Sequence, residues 1–119
     1  MAQYEHLPIY KQAYDFMVFI ENAVRQFSRY NKYSIGSELR ENTRGIIRTV
    51  IKANNLINRL NRLETLYQLR ELLEETKVTL KLCKSVKAFN NFNSFQVAIN
   101  MVIDISRQNE GWIKSLSGK

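Results

Sequence analysis

The sequence is poor in the residues on which small domains commonly build chemistry: one cysteine, one histidine, one proline and four glycines among 119 residues. A lone cysteine, Cys83, excludes an internal disulfide and suits a reducing compartment. A lone histidine, His6, cannot supply the imidazole clusters of zinc sites, and no Ser-His-Asp or Cys-His arrangement assembles around a residue so close to the start. His6 reads as an exposed residue. Walker A and GxGxxG loops are both missing, so nothing marks a nucleotide-binding turn. The carboxylates Glu71, Glu74 and Glu75 stand among Arg70 and Lys77 at helical spacing, the pattern of a solvated, ion-paired face rather than of a metal site. Long uncharged apolar runs are also missing. The richest, Phe16 to Ile20, is closed by Asp15 and Glu21, so no membrane span is expected. The opening MAQYEHLPIYKQAYD has no basic stretch leading into an apolar block, which predicts a cytoplasmic protein without a signal peptide. These absences together predict a protein that is not an enzyme and uses neither metal nor cofactor.

What is present points to helices. Hydrophobic residues make up 45% of the chain, and a domain of this length buries roughly 65 to 70% of its unfolded surface. A single domain, residues 1–119, is expected to fold on its apolar core alone. Gly and Pro do not occur between Ile46 and Glu110. Ile9, Ala13, Phe16, Met17, Ile20, Ala23, Val24 and Phe27 recur at three- and four-residue steps behind Pro8, the signature of one helical stripe. The run SRYNKYS (28–34) breaks the pattern, with Ser34 or Ser37 available to cap a second helix lasting to about Asn58. The asparagines of 53–64 favour a loop around Arg59 to Arg62. A third helix, Leu63 to about Phe89, carries Leu66, Leu69, Leu73, Leu80 and Cys83 near heptad spacing. After the turn FNNFN, Asn93 with Gln96 resembles a capping box, stapled by Phe92 on Val97, at the start of a fourth helix. The expected fold is all-α, an antiparallel up-down-up-down four-helix bundle, fraying over Met1 to His6 and Ser115 to Lys119.

Charge is the informative surplus, with 18 Lys and Arg against 11 Asp and Glu. No acid lies between Glu41 and Glu64, where Arg44, Arg48, Lys52, Arg59 and Arg62 stand. Arg40, Arg44, Arg48 and Lys52 step by four, drifting about 40° per step, and so trace a basic ribbon along one helix. Thr76 to Ile103 is also free of acids, and Arg70, Lys77, Lys81 and Lys84 form a second ribbon. Both are candidates for contact with a nucleic-acid backbone, Arg as a bidentate donor and Lys as a point charge; the plain alternative is an idle solvated face. Tyr30 and Tyr33, beside Arg29 and Lys32, are candidates to stack on bases, or to cap a bundle end. Trp112 reads as an anchor between helices. The apolar excess around Phe16, Val18, Phe19 and Ile20 predicts cover by a second subunit.

LPIYKQAYDF (7–16), KYSIGSELRE (32–41) and GWIKSL (111–116) together resemble the accessory variability determinant proteins of diversity-generating retroelements. Those proteins belong to a wider four-helix-bundle group that includes the 23S rRNA intervening-sequence proteins. The resemblance runs through nearly the whole chain in order and spacing, and Gly-Trp-Ile-Lys favours the retroelement branch. It implies a basic, non-catalytic bundle that assembles as a homopentamer and associates with the reverse transcriptase of its element. It also implies binding of nucleic acid (RNA, and DNA or an RNA–DNA hybrid) in support of mutagenic copying of a template RNA. The intervening-sequence proteins supply the rival reading, an RNA-binding or structural role; a buried-charge helical enzyme and a plain oligomerisation module are further alternatives.

Overall fold

Buried apolar residues at three- and four-residue steps organise every long helix of the chain. The structure is a computed structural model and describes residues 3–117. Helix α1 (Pro8–Arg25) opens on Pro8, whose fixed φ and missing N–H suit a first turn, and buries Ile9, Ala13, Phe16, Ile20 and Val24. A single turn, α2 (Arg29–Lys32), leads into α3 (Ile35–Asn55), which is followed by α4 (Arg59–Ser85) and α5 (Phe92–Ser117). Each long helix packs against the one before and the one after it, and α5 returns to α1, so the four enclose one core. The described residues are all-α, without a strand.

The seam of α4 alternates steps of three and four through Leu66, Leu69, Leu73, Thr76, Leu80 and Cys83, all buried, as in a coiled coil. Phe95, Ala98, Val102, Ile105 and Asn109 do the same on α5. Two seam positions are polar. The Thr76 hydroxyl is satisfied by donating to the Leu72 carbonyl at 2.7 Å. The Asn109 amide donates to the Leu66 carbonyl at 3.1 Å, while its Oδ1 accepts no bond from any described residue. Cys83 is fully buried; desolvation first, and the charge of Glu38 second, push its thiol up to about 12. It is the inert core residue that its place on the stripe suggests. The folded chain should therefore resist iodoacetamide at pH 8 and react only in denaturant; rapid alkylation of the native protein would contradict this packing.

Several boundaries differ from the sequence reading. The expected loop at Arg59 to Arg62 is instead the first turn of α4. The true break is Leu56 to Asn58, and the Asn58 side chain accepts from the Asn61 N–H at 3.0 Å. The asparagines 54 and 55 remain helical, because burial of Val50 and Ala53 outweighs their preference for turns. Helix α4 ends at Ser85, before the expected Phe89: the Ala88 N–H reaches the Cys83 carbonyl at 2.8 Å and the Lys87 N–H reaches that of Lys84 at 3.0 Å, closing a Schellman turn with Lys87 at φ 59°. Asn91, not Asn93, caps α5, accepting from the Ser94 N–H at 2.8 Å; Gln96 bonds Asn100 instead, and Phe92 is exposed rather than stapled. Ser34 and Ser37 donate backwards to the carbonyls of Tyr30 and Lys32, and neither caps through its side chain. Gln3–His6 is a short 3-10 turn with Tyr4 against Tyr10 at 5.0 Å, and α5 runs helical through Ser117, so only part of the expected fraying, at 1–2 and 118–119, lies outside the described residues. Among the described residues no helix is long and apolar enough to cross a membrane.

Candidate nucleic-acid interface

The first basic ribbon is compensated in part, two carboxylates standing against its four cations. Arg44 donates to Glu21 of α1 at 2.8 Å, and Arg40 Nε lies 3.2 Å from the same carboxylate without hydrogen-bond alignment. Arg48 reaches back two turns to Glu41 at 2.7 Å. The expectation of uncompensated charge from Glu41 to Glu64 is thus corrected for Arg44 and Arg48, while Lys52, Arg59 and Arg62 meet no carboxylate among the described residues: an absence of acids along the chain says nothing about the helix packed alongside. Arg62 has a structural task, donating to the carbonyls of Ala53, Asn54 and Leu56 at 2.9, 3.2 and 2.6 Å, where α3 leaves carbonyls unbonded. Arg59 donates to the Leu116 carbonyl at 3.0 Å. Of this group Lys52 alone makes no ion pair or side-chain hydrogen bond among the described residues.

The second ribbon divides. Arg70 grips Glu110 through two bonds of 2.8 and 2.7 Å, and Lys77 pairs with Glu74 at 2.8 Å. These residues line an open recess of about 370 Å³ between α4 and α5, where Arg107 adds a third cation against the two carboxylates. The hydrogen bonds from Arg70 hold the Glu110 carboxyl below its ordinary range. A lowered carboxyl stabilises the fold above its unfolded pKa, about 4.3, and that contribution is lost as pH falls through the folded value. Since both partners are about half exposed, it amounts to at most about 1 kcal/mol. Glu110→Gln should therefore lower the melting temperature slightly at pH 7, and the difference should close as pH falls below the carboxylate range.

Lys81 and Lys84 are different. Neither is in an ion pair among the described residues, and Lys84 Nζ lies over the Phe95 and Phe92 rings at 5.0 and 5.8 Å. They project near the end of the bundle where the α4–α5 turn meets the α1–α2 connection, the two being joined by the buried edge-to-face pair Phe27 and Phe89 at 5.4 Å. Arg25 ends α1, Arg29 and Lys32 open and close α2, Lys87 lies in the α4–α5 turn, and none of the four is in an ion pair among the described residues. Exposed aromatic rings stand among them: Tyr30 is 81% exposed, Tyr33 69% and Phe92 61%. Tyr30 borders a recess with Ile35, Glu38, Leu82 and Val86; Phe92 borders another with Lys84, Lys87 and Asn90. Glu38, the carboxylate at this border, accepts from the Thr79 hydroxyl at 3.3 Å.

Cations outside any ion pair, near exposed rings and with Glu38 at the border, form a surface suited to phosphates and bases. The structure thus separates the sequence candidates. Arg40, Arg44, Arg48, Arg70 and Lys77 pair with Glu, Arg59 and Arg62 bind carbonyls, Lys52 stands apart near the end of α3, and Lys81 and Lys84 join the new cluster. Arg25, Arg29, Lys32 and Lys87 lay outside the ribbons; the signal that locates the first three is a further acid-free stretch, Asn22 to Ser37, which folds against the acid-free Thr76 to Ile103. Trp112 is half-buried against the core and borders a shallow recess with Leu7, Pro8 and Gln108. Comparison of the sequence with known protein families and with curated proteins gives no match.

Proposed function

We propose that this chain is a non-catalytic, nucleic-acid-binding accessory protein of a diversity-generating retroelement. In this reading it works in the cytoplasm with the reverse transcriptase of its element on template RNA and its DNA copy. The observation that carries the binding half is the end of the bundle where Lys84 and Lys87 border a recess with exposed Phe92, while exposed Tyr30 and Tyr33 stand in and just after α2 beside Arg29 and Lys32. The retroelement half rests on the resemblance through KYSIG and GWIK. An antiparallel up-down-up-down course is supported by which residues meet. Glu21 late in α1 pairs with Arg40 and Arg44 in the first half of α3, Asn42 lies 3.4 Å from Thr79 late in α4, and Arg59 at the start of α4 bonds Leu116 near the end of α5.

Self-association, to a homopentamer by the resemblance, is supported by apolar side chains left open on the outer faces of α1 and α4, Tyr14, Val18, Tyr67 and Val78. Weak phosphate contacts repeated on each subunit then add through effective concentration. The test is co-expression with a reverse transcriptase of a diversity-generating retroelement, followed by mass measurement of the purified assembly and titration with RNA at rising salt. A co-purifying complex, and affinity that falls linearly in log-log salt, are expected. No binding of RNA or DNA at low ionic strength would reduce the protein to an oligomerisation module.

A further inference from the structure

Phosphate contact alone does not explain why three aromatic rings are left in solvent at the most cationic end of the molecule. Burying a ring is favourable, and Phe92 lies at a centroid distance of 5.8 Å from buried Phe95 yet stays mostly exposed. Duplex nucleic acid hides its base faces in the stack, so it offers such rings nothing. Single strands expose one face after another. We infer that this end of the bundle selects unpaired nucleotides, with bases stacking on Tyr30, Tyr33 and Phe92 and phosphates held by Arg29, Lys84 and Lys87. The inference rests on the nucleic-acid-binding reading above and narrows it to single-stranded substrate.

The geometry gives the rings two stations around the end of α4. Tyr30 borders a recess with Leu82, Val86 and Glu38 on one side, and Phe92 borders one with Lys84 and Lys87 on the other. Lys84 already lies over the Phe92 and Phe95 rings, so a phosphate drawn to its ammonium arrives beside an open aromatic face. Lys87 adds an independent sign. It occupies the left-handed position of the turn that ends α4, at φ 59°, where glycine is the unstrained choice. A charged side chain is kept there at a conformational cost, and outliers of this kind gather at functional sites.

Anisotropy titration of a labelled 12-nucleotide RNA, alone and annealed to its complement, tests this at low salt. The native chain should bind the single strand at least tenfold more tightly than the duplex. Tyr30→Ser combined with Phe92→Ser should lower single-strand affinity roughly tenfold or more and leave duplex binding unchanged, in line with the weight of base–aromatic stacking. Lys87→Gly should raise the melting temperature while weakening the single-strand complex; a raised melting temperature with unchanged affinity would overturn the role given to Lys87. Equal affinity for both forms, insensitive to the two ring substitutions, would overturn the inference and leave the broader reading standing. If the ring substitutions instead dissociate an oligomer, the rings are a subunit interface and the inference fails. Absence of any RNA binding by the native chain would overturn both.

Discussion

Replacing Arg29, Lys84 and Lys87 together by Gln should weaken RNA binding by about two orders of magnitude at 50 mM salt. It should also flatten the slope of log affinity against log salt by about 2, since each lost phosphate contact on a single strand removes roughly 0.7. The companion variant, Arg44→Gln with Arg48→Gln and Arg70→Gln, removes the same formal charge. Its side chains, however, are already engaged by Glu21, Glu41 and Glu110 at 2.8, 2.7 and 2.7 Å. A cation beside a carboxylate attracts a phosphate weakly, because the carboxylate repels the same phosphate and cancels most of the local positive potential. At 50 mM salt the Debye length is about 14 Å, so the change in net charge is largely screened beyond that range. The companion should therefore lose less than about threefold. Measured by anisotropy on folded variants of matched circular dichroism, equal losses in the two triples would return the phosphate site to the helical ribbons and away from the bundle end.

The helices were legible because burial is periodic and periodicity is local. Ile9, Ala13, Phe16, Ile20 and Val24 lie on the stripe that their spacing describes, and the heptad of Leu66, Leu69, Leu73, Leu80 and Cys83 is buried throughout. Helix ends were harder. Asn58 and Asn91 cap while Asn54 and Asn55 do not, and what separates them is the packing of neighbouring residues, not the residue type. The candidate site was the least legible part, because ion pairing joins positions that the sequence separates. Glu21 and Arg44 are 23 residues apart, Arg70 and Glu110 are 40, and no local count of charges finds such pairs. Conversely, the bundle end gathers Arg29 and Tyr30 with Lys84, Lys87 and Phe92 through two turns that meet only once the helices are packed. Tyr30 and Tyr33 were visible as candidates from their basic neighbours alone; their partners across the bundle were not.

One substitution made at three glycines should give three different results, set by what an added methyl meets. At Gly36, in the first turn of α3, a Cβ would stand 2.7 Å from Val24 Cγ1 and 2.9 Å from the Asn31 carbonyl oxygen. The valine tip can rotate away, but the carbonyl belongs to the backbone of α2, so α3 must shift against α2 and the end of α1. Overpacking of this kind costs about 1 to 3 kcal/mol, more than the roughly 1 kcal/mol by which alanine exceeds glycine in helix propensity. Gly36→Ala should thus lower the melting temperature by several degrees, at about 4 °C per kcal/mol for a domain of this size. At Gly45 the nearest atom is the flexible tip of Leu72, 3.1 Å away, so propensity and crowding should nearly cancel. At Gly111 nothing lies within 4 Å, and Ala should stabilise by about 0.5 to 1 kcal/mol. Adding Val24→Ala to Gly36→Ala relieves only the side-chain contact and should recover little, because the carbonyl of Asn31 stays where it is. Full recovery in the double variant would mean that the valine alone sets the distance between α1 and α3; a stabilised single Gly36→Ala variant would mean that the two helices are not held at the spacing described.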